Sequence, residues 1–190
     1  MTVSEGKQTQ RKAGRAARKA LSPEVRAAAN AALCANLWQL DAVQKARTIL
    51  LYAAFGAEAD LAAFAEEALR QGKVLAYPVC GEGYSLTAAV PGPDGWETGL
   101  YGIRTPVPER SELLEPEALD LVLVPCTAFD ADCRRVGMGK SYYDRYLPRC
   151  KNAAKIGIAF EVQRVDRAAV DEHDQRLDAY ATERGIYTWK

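Results

Sequence analysis

Apolar runs of strand length alternate with helical patterns along most of the chain. Three nearly continuous apolar runs, at 48–54, 119–125 and 155–160, have the length and composition of strands buried on both faces of a sheet. Weaker strand patterns are found at 74–79, 84–90, 179–182 and 186–189. The apolar runs therefore predict a sheet whose central strands are covered on both sides.

Helical patterns separate these strands. Helices are predicted at 7–20, 22–40, 58–71 and 141–147. The second has a clear start, because Ser22 suits an N-cap, Pro23 the first helical position and Glu24 the positive end of the helix dipole. Its apolar stripe consists of Val25, Ala28, Ala29, Ala32, Leu33, Leu37 and Leu40.

Strands that alternate with helices indicate an α/β protein. We predict a single-domain three-layer sandwich, with a mostly parallel or mixed sheet flanked by helices. Residues 91–118 are rich in proline, glycine and acids, and are interpreted as a long loop. The sequence contains no repeat or linker, so residues 1–190 are assigned to one domain, with 1–6 as a candidate disordered end.

Composition narrows the functional classes. Lys plus Arg and Asp plus Glu both number 25, so the net charge is zero and argues against nucleic-acid or membrane-surface partners. The five cysteines form no CxxC pair, which favours free thiols in a reducing, cytoplasmic setting. No apolar stretch approaches the ~20 residues of a membrane span. We expect a monomer or a weak dimer.

Basic residues are concentrated near the N-terminus. They are Lys7, Arg11, Lys12, Arg15, Arg18 and Lys19. Three interpretations are open: a solvated basic helix, an arm that meets phosphate, or, ranked lower, an organelle transit peptide.

The chemistry is concentrated where strand 119–125 leads through a glycine-bearing turn to a short helix. Gly137 and Gly139 allow backbone amides to approach an anion closely. Arg135 and Lys140 can neutralise phosphate oxygens, and the start of the following helix favours a negative charge. Asp144, one helical turn further on, could hold a Mg²⁺ ion against those oxygens.

The Gly139-Lys140-Ser141 triplet partly matches the phosphate-binding loop of P-loop nucleotide hydrolases and kinases. The match fails at the first glycine of that motif, where this chain has Arg134. A P-loop enzyme is therefore a hypothesis of lower rank. Two further hypotheses stand beside it: a folate- or nucleotide-binding protein without catalysis, and an RNA-binding protein led by the basic N-terminus.

The segment from Ala128-Phe129-Asp130 through 135–147 (RVGMGKSYYDRYL) resembles the signature of 5-formyltetrahydrofolate cyclo-ligases. Lys7 and Arg11 resemble that family's N-terminal K-x-x-x-R pattern. Further similarity lies at 52–58, 156–163 and 173–183, so it covers nearly the whole chain.

This resemblance implies the fold called NagB/RpiA/CoA-transferase-like and a specific reaction. ATP and 5-formyltetrahydrofolate would give ADP, phosphate and 5,10-methenyltetrahydrofolate, through phosphorylation of the formyl oxygen and attack by the folate N10. The implied cofactors are ATP and Mg²⁺. The implied partner is the folate substrate, with or without a polyglutamate tail.

Together, the turn and the resemblance give a set of site residues. The nucleotide is expected to bind at Lys7, Arg11, Arg135, Gly137, Met138, Gly139, Lys140, Ser141, Tyr142 and Tyr143. The folate is expected at Ala53, Glu58, Gly139, Lys140 and Tyr142. Catalysis is assigned to Arg135, Lys140 and Tyr142, and the metal to Asp144 and, from the resemblance alone, Asp178.

Each assignment has a plainer interpretation. Lys7 and Arg11 would then be surface charges, Glu58 the opening residue of the next helix, and the paired tyrosines core residues. His173, the single histidine, is interpreted as ordering its polar loop. The chain departs from the family pattern at Cys133 and Ser141, where glycine is frequent, and at Met138, where a bulky aromatic or basic residue is common.

Overall fold

The computed structural model describes residues 2–99 and 102–189. Its helices are α1 (Val3–Lys19), α2 (Pro23–Leu37), α3 (Asp41–Lys45), α4 (Ala62–Arg70) and α5 (Tyr142–Tyr146). Its strands are β1 (Thr48–Leu50), β2 (Val74–Cys80), β3 (Leu86–Pro91), β4 (Trp96–Thr98), β5 (Arg104–Pro106), β6 (Ser111–Leu114), β7 (Leu121–Pro125), β8 (Ala128–Phe129), β9 (Arg135–Val136), β10 (Ala154–Ile158), β11 (Ala179–Thr182) and β12 (Gly185–Thr188).

Eight strands form the central sheet, in the order β12-β11-β10-β7-β1-β2-β3-β6. The five central strands, β11 to β2, run parallel, and both edges continue antiparallel. In the centre, Ile49 of β1 pairs with Leu75 on one side and Leu121 on the other. The predicted α/β architecture with a mostly parallel, mixed sheet is confirmed.

Helices α2 and α4 cover one face of the sheet. Leu33, Leu37 and Phe64 are fully buried there against β1, β7 and β10. Most of the predicted apolar stripe of α2 is confirmed, but Val25 is 53% exposed and Ala28 is also exposed. Both lie in the first part of α2, ahead of the residues that reach the core.

Shorter elements cover the other face. The β8–β9 hairpin, α5 and the turn after it bury Phe129, Tyr146 and Leu147 against the sheet. Tyr180 of β11 stacks on Phe129 with ring centroids 4.5 Å apart. Gly157 makes room for that ring, since a Cβ there would lie 2.2 Å from it.

The prediction of a long loop at 91–118 is wrong. The segment contains the hairpin of β4 and β5 and the edge strand β6. These strands are three or four residues long and carry proline and charged residues, so their period-2 pattern is weak. The first apolar run also forms a shorter strand than predicted, because β1 ends at Leu50.

The N-terminal helix is longer than predicted. Helix α1 begins at Val3, and Thr2 and Glu5 form a capping box at its start, so residues 3–6 are helical where we considered disorder. At the described residues, no helix is long and apolar enough to cross a membrane.

Candidate active site

The glycine-bearing turn predicted to bind phosphate lies beyond the carboxyl end of β7, between the β8–β9 hairpin and α5. Gly139 has a φ of 105° and Ser141 a φ of 53°, both in the left-handed region. A side chain is disfavoured there, so Ser141 stores backbone strain at this turn. Ser141 makes no side-chain cap for α5. Cys133 also has a positive φ, of 59°, so both departures from a family glycine occupy glycine-like conformations.

Helix α1 lies across this turn. Arg11 donates from Nε to the Gly137 carbonyl oxygen at 2.9 Å, and Arg15 donates to that of Met138 at 3.4 Å. Because a trans peptide directs its C=O and N–H to opposite sides, the amides of Met138 and Gly139 face away from α1. One face of the basic helix therefore contacts the turn, while Lys12 and Lys19 of the same helix are exposed to solvent.

Close packing fixes the position of α1. A Cβ on Gly14 would lie 1.8 Å from the carbonyl oxygen of Thr127, so only glycine allows this approach. The Thr127 side chain donates in turn to the carbonyl oxygen of Val136 at 2.8 Å. These contacts consequently fix the relative positions of α1, the β8–β9 hairpin and the end of β7 at the site.

Arg135 and Asp144 form a buried ion pair behind the turn. Their closest atoms, Nη2 and Oδ1, are 2.6 Å apart, and the side chains are 3% and 13% exposed. The same Asp144 oxygen accepts the backbone N–H of Gln175 at 3.2 Å. The Nε of Arg135 is buried without a hydrogen-bond partner among the described residues, so donor capacity remains beside the turn.

Lys140 projects from the turn into solvent beside an aromatic residue that the sequence analysis missed. Its Nζ lies 5.7 Å from the centre of the Tyr84 ring. Tyr142 meets the same ring edge-on at 5.9 Å, and Arg145 stacks on it at 5.1 Å. Tyr84 follows Gly83 in the turn between β2 and β3, where no spacing signal connects it to residues 140–145.

The paired tyrosines both pack against the core beneath α5, as the plainer interpretation predicted. Tyr143 differs from an ordinary core tyrosine because its hydroxyl is buried without a hydrogen-bond partner among the described residues. Burial, with Cys80 and Glu58 nearby, raises the pKa of Tyr143 well above its ordinary value. Its buried O–H is therefore an unused hydrogen-bond donor among the described residues.

Lys7 is an internal ion-pair partner here rather than a free surface charge. Its Nζ lies 2.7 Å from Asp171 and 2.5 Å from Asp174, and its side chain is only 14% exposed. Burial opposes the charge of Lys7, but the hydrogen bonds and charges of the two aspartates outweigh it and raise the pKa. Asp174 is thus held in an ion pair with Lys7. The His173 side chain is 86% exposed, and the residue contributes to the loop through its backbone, which donates its N–H to Asp171 and accepts from the Gln175 side chain at 3.4 Å.

Glu58 does not open a helix, since α4 begins only at Ala62. Its side chain turns inward, 9% exposed, and accepts the backbone N–H of Phe55 at 3.0 Å. Arg18 of α1 lies 3.5 Å from its other oxygen. Burial raises the pKa of Glu58, and the Phe55 N–H and Arg18 oppose that rise. Ala53 is half-buried just before this loop.

The two candidate metal ligands have hydrogen-bond partners in different parts of the protein. Asp178 precedes β11 and accepts the backbone N–H of Lys155 at 2.7 Å, whereas Asp144 binds Arg135 and Gln175. Across residues 2–99 and 102–189 there is no cluster of three or more His, Cys, Asp or Glu side chains that could hold a metal ion. Asp144 alone adjoins the turn, and one carboxylate with phosphate oxygens is a common Mg²⁺ environment.

Comparison with known proteins points to one family. Residues 3–183 match the model of the 5-formyltetrahydrofolate cyclo-ligase family. The chain is 27% identical to the Escherichia coli K12 5-formyltetrahydrofolate cyclo-ligase over 177 residues, which are 90% of this chain and 97% of that protein. The mouse cyclo-ligase is 40% identical over a shorter stretch, 74 residues or 36% of each protein.

Solved structures give the same result. The Aquifex aeolicus 5,10-methenyltetrahydrofolate synthetase superposes with a TM-score of 0.84 at 33% identity, covering 97% of this chain and 93% of that one. The Mycoplasma pneumoniae 5,10-methenyltetrahydrofolate synthetase gives a TM-score of 0.77 at 26% identity, covering 93% and 98%. The chain therefore belongs to the 5-formyltetrahydrofolate cyclo-ligase family.

Proposed function

We propose that the chain converts 5-formyltetrahydrofolate and ATP into 5,10-methenyltetrahydrofolate, ADP and phosphate at the glycine-bearing turn beside α1. The observation that carries this proposal is the contact of α1 with the glycine-bearing turn. Arg11 of α1, Lys140 of the turn and the Arg135–Asp144 pair behind it bring cationic groups to one short segment of backbone. Phosphoryl transfer depends mainly on such positioning and charge neutralisation.

The reaction proceeds in two steps. The formyl oxygen of the folate attacks the γ-phosphorus of ATP, and ADP leaves. The folate N10 then attacks the activated formyl carbon, its proton is lost, and the C–O bond breaks to release phosphate. In this proposal Lys140 and the Met138 and Gly139 amides stabilise charge on the transferring phosphoryl group, with Arg135 supporting it from behind the turn.

The folate is proposed to bind on the Glu58 side of the turn. A carboxylate suits the N–H groups on the pterin edge, because it accepts hydrogen bonds through both oxygens. Tyr143 lies near Glu58, Tyr142 is its neighbour at the start of α5, and the aromatic character of both suits a flat ring. Ala53, half-buried just before the loop that carries Glu58, is proposed as a further contact.

A Mg²⁺ ion would be held by Asp144 together with nucleotide oxygens. When bound, it would supply charge neutralisation between the phosphates. The second metal ligand, Asp178, is supported only by the resemblance of its motif. Five free thiols support a reducing, cytoplasmic location. We further propose a monomeric or weakly dimeric state and the use of polyglutamylated folate.

A spectrophotometric assay tests the reaction directly. Purified protein is mixed with 5-formyltetrahydrofolate, ATP and Mg²⁺, and absorbance of the methenyl product is followed with time. Growth of the signal only when ATP is present is the expected result. A folded protein that gives no signal, or that hydrolyses ATP equally well without folate, would contradict the proposal and favour a binding protein or a nucleotide hydrolase.

A further inference from the structure

We infer that Arg18 is a positioning residue for Glu58, so that helix α1 serves the folate end of the active site as well as the nucleotide end. This inference rests on the proposed function, in which Glu58 binds the pterin. Arg18 belongs to the N-terminal basic cluster, yet its side chain is only 6% exposed. A fully charged guanidinium is retained in such a place only with partners, because burial of an isolated charge is strongly unfavourable.

The contacts of Arg18 identify its partner. One guanidinium nitrogen donates to the Cys126 carbonyl oxygen at 3.3 Å, and the other lies 3.5 Å from Glu58 Oε1. The Cys126 carbonyl is already satisfied by Gln163, which donates to it at 2.9 Å. Arg18 is therefore not needed to satisfy the backbone at the end of β7. Glu58 is the one carboxylate that Arg18 pairs with among the described residues.

The geometry on Glu58 suits an orienting role. The Phe55 N–H holds one carboxylate oxygen and Arg18 faces the other, so both ends of the carboxylate are fixed. A carboxylate held from behind by donors keeps further lone pairs for a ligand in front. To accept two N–H groups from a pterin it must be ionised. Arg18 favours the ionised form by opposing the effect of burial.

Helix periodicity explains how one element reaches both ends of the site. Arg11, Arg15 and Arg18 are spaced four and three residues apart, so they lie on one face of α1. They contact the carbonyl oxygens of Gly137, Met138 and Cys126 in turn. Arg11 thus marks the nucleotide end of this face and Arg18 the folate end.

Kinetics of Arg18→Met and Arg18→Lys test the inference. Arg18→Met is expected to raise KM for 5-formyltetrahydrofolate about tenfold or more and KM for ATP less than about twofold, since a lost charge-assisted contact is worth roughly a factor of ten. Arg18→Lys keeps the charge and should recover most of the folate affinity. Equal effects on both substrates would mean that Arg18 only holds α1 in place, and would overturn the inference.

The pH profile gives a second readout. The groups that face Glu58 are Arg15, Arg18, Tyr52, Cys126, Tyr143 and the Phe55 N–H. Without Arg18 the pKa of Glu58 rises further, so folate affinity in Arg18→Met should begin to fall at a higher pH than in the wild type as the pH is lowered. If folate affinity begins to fall at the same pH in Arg18→Met and in the wild type, the inference is overturned.

A double-variant cycle with Glu58→Gln guards against loss of folding. If Arg18→Met unfolds because Glu58 is left buried without its cation, the neutral pair Arg18→Met/Glu58→Gln should restore folding, and that rescue supports the pairing. When both variants fold, Arg18→Met should add less than about twofold to folate KM in the Glu58→Gln background, since interacting residues are non-additive. A further tenfold increase in folate KM in the Glu58→Gln background would contradict the pairing. Absence of turnover in the wild type would instead refute the proposed function.

Discussion

Side chains at the glycine-bearing turn differ in how strongly the fold depends on them, and Lys140 is one of the exposed ones. Its side chain projects into solvent and lies over the Tyr84 ring. We predict that Lys140→Ala lowers kcat by about 10²–10³, the effect typical of losing one group that stabilises transition-state charge. The melting temperature should stay within about 2 °C of the wild type, as for other exposed positions.

Lys151→Ala is the matched control for that prediction. Lys151 is an exposed lysine in the turn before β10 and has no assigned role in the site. It should retain wild-type kcat. Equal activity in the Lys140 and Lys151 variants would remove Lys140 from the catalytic group.

Arg135 behaves differently, because it is buried and paired with Asp144. From the sequence alone we would expect Arg135→Ala to lose turnover while keeping its fold, but the structure revises the second part. We predict that Arg135→Met destabilises the protein by about 3–5 kcal/mol, since it leaves the Asp144 carboxylate buried without its partner. Denaturant unfolding of Arg135→Met and of the Arg135→Met/Asp144→Asn pair measures this. The double variant should be more stable than the single, and a single variant of wild-type stability would refute the prediction.

The contrast between these residues shows what the sequence could establish. The motif at 135–147 correctly predicted a glycine-bearing turn that leads into a short helix, because its residues are adjacent in the chain. It could not show that Arg135 is buried, that Lys7 binds Asp171 and Asp174, or that Tyr84 stacks beside Lys140. Those contacts join distant segments, and their partners have no periodic spacing.

At the scale of elements, the packing of α1 depends on one glycine. Alanine normally stabilises a helix interior by ~1 kcal/mol relative to glycine. At position 14, however, the added Cβ would lie 1.8 Å from the Thr127 carbonyl oxygen. We predict the opposite sign: Gly14→Ala lowers the free energy of unfolding by more than about 1 kcal/mol and raises KM for both substrates, because α1 carries Arg11 and Arg18.

The matched control is Ala13→Gly at an exposed position of the same helix. Ala13→Gly should lower the free energy of unfolding by only ~1 kcal/mol, through its lower helix propensity, and should leave both KM values near wild type. Thermal unfolding and steady-state kinetics of the two variants measure the difference. If Gly14→Ala is as stable and active as the wild type, the close approach of α1 to β7 is not required.

The start of α1 is held by an ion-pair cluster, and its pH dependence has a definite sign. The hydrogen bond from Lys7 lowers the pKa of Asp171 below its ordinary value. A carboxyl with a lowered pKa stabilises the fold above its unfolded-state pKa of ~4, and that stability is lost as the pH falls through the lower folded value. The contribution is at most ~1 kcal/mol, because the Asp171 side chain is 42% exposed.

We therefore predict that Asp171→Asn melts up to ~4 °C below the wild type from about pH 5 to pH 8, and that the difference disappears toward about pH 3. Glu172→Gln, an exposed neighbour, is the control and should match the wild type throughout. Thermal unfolding across this pH range is the measurement. A difference that grows as the solution becomes more acidic would contradict the assigned pair.

At the scale of the whole molecule, the sheet order brings the two proposed ligand sites to neighbouring strands. The alternation of strands and helices predicted this α/β class, while the hairpin at β4–β5 and the edge strand β6 were hidden by short, polar strands. The parallel strands β1 and β7 are neighbours, so the loop with Glu58 and the phosphate turn follow the same edge of the sheet. Helix α1 then contacts both.

Because a single domain unfolds cooperatively, each ligand that binds the folded state raises its melting temperature. The shift produced by each of the two ligands can therefore be measured separately. A ligand at a concentration about 100 times its Kd adds ~2.7 kcal/mol to the free energy of unfolding. For a chain of this size, the melting temperature then rises by roughly 5–10 °C. We predict that Arg11→Met loses most of the shift produced by a non-hydrolysable ATP analogue and keeps the shift produced by 5-formyltetrahydrofolate. Glu58→Gln should show the reverse pattern, because Glu58 lies at the folate end of α1. Loss of both shifts in both variants would mean that the two ligands share one subsite, and would refute the division of the proposed site into a nucleotide end and a folate end.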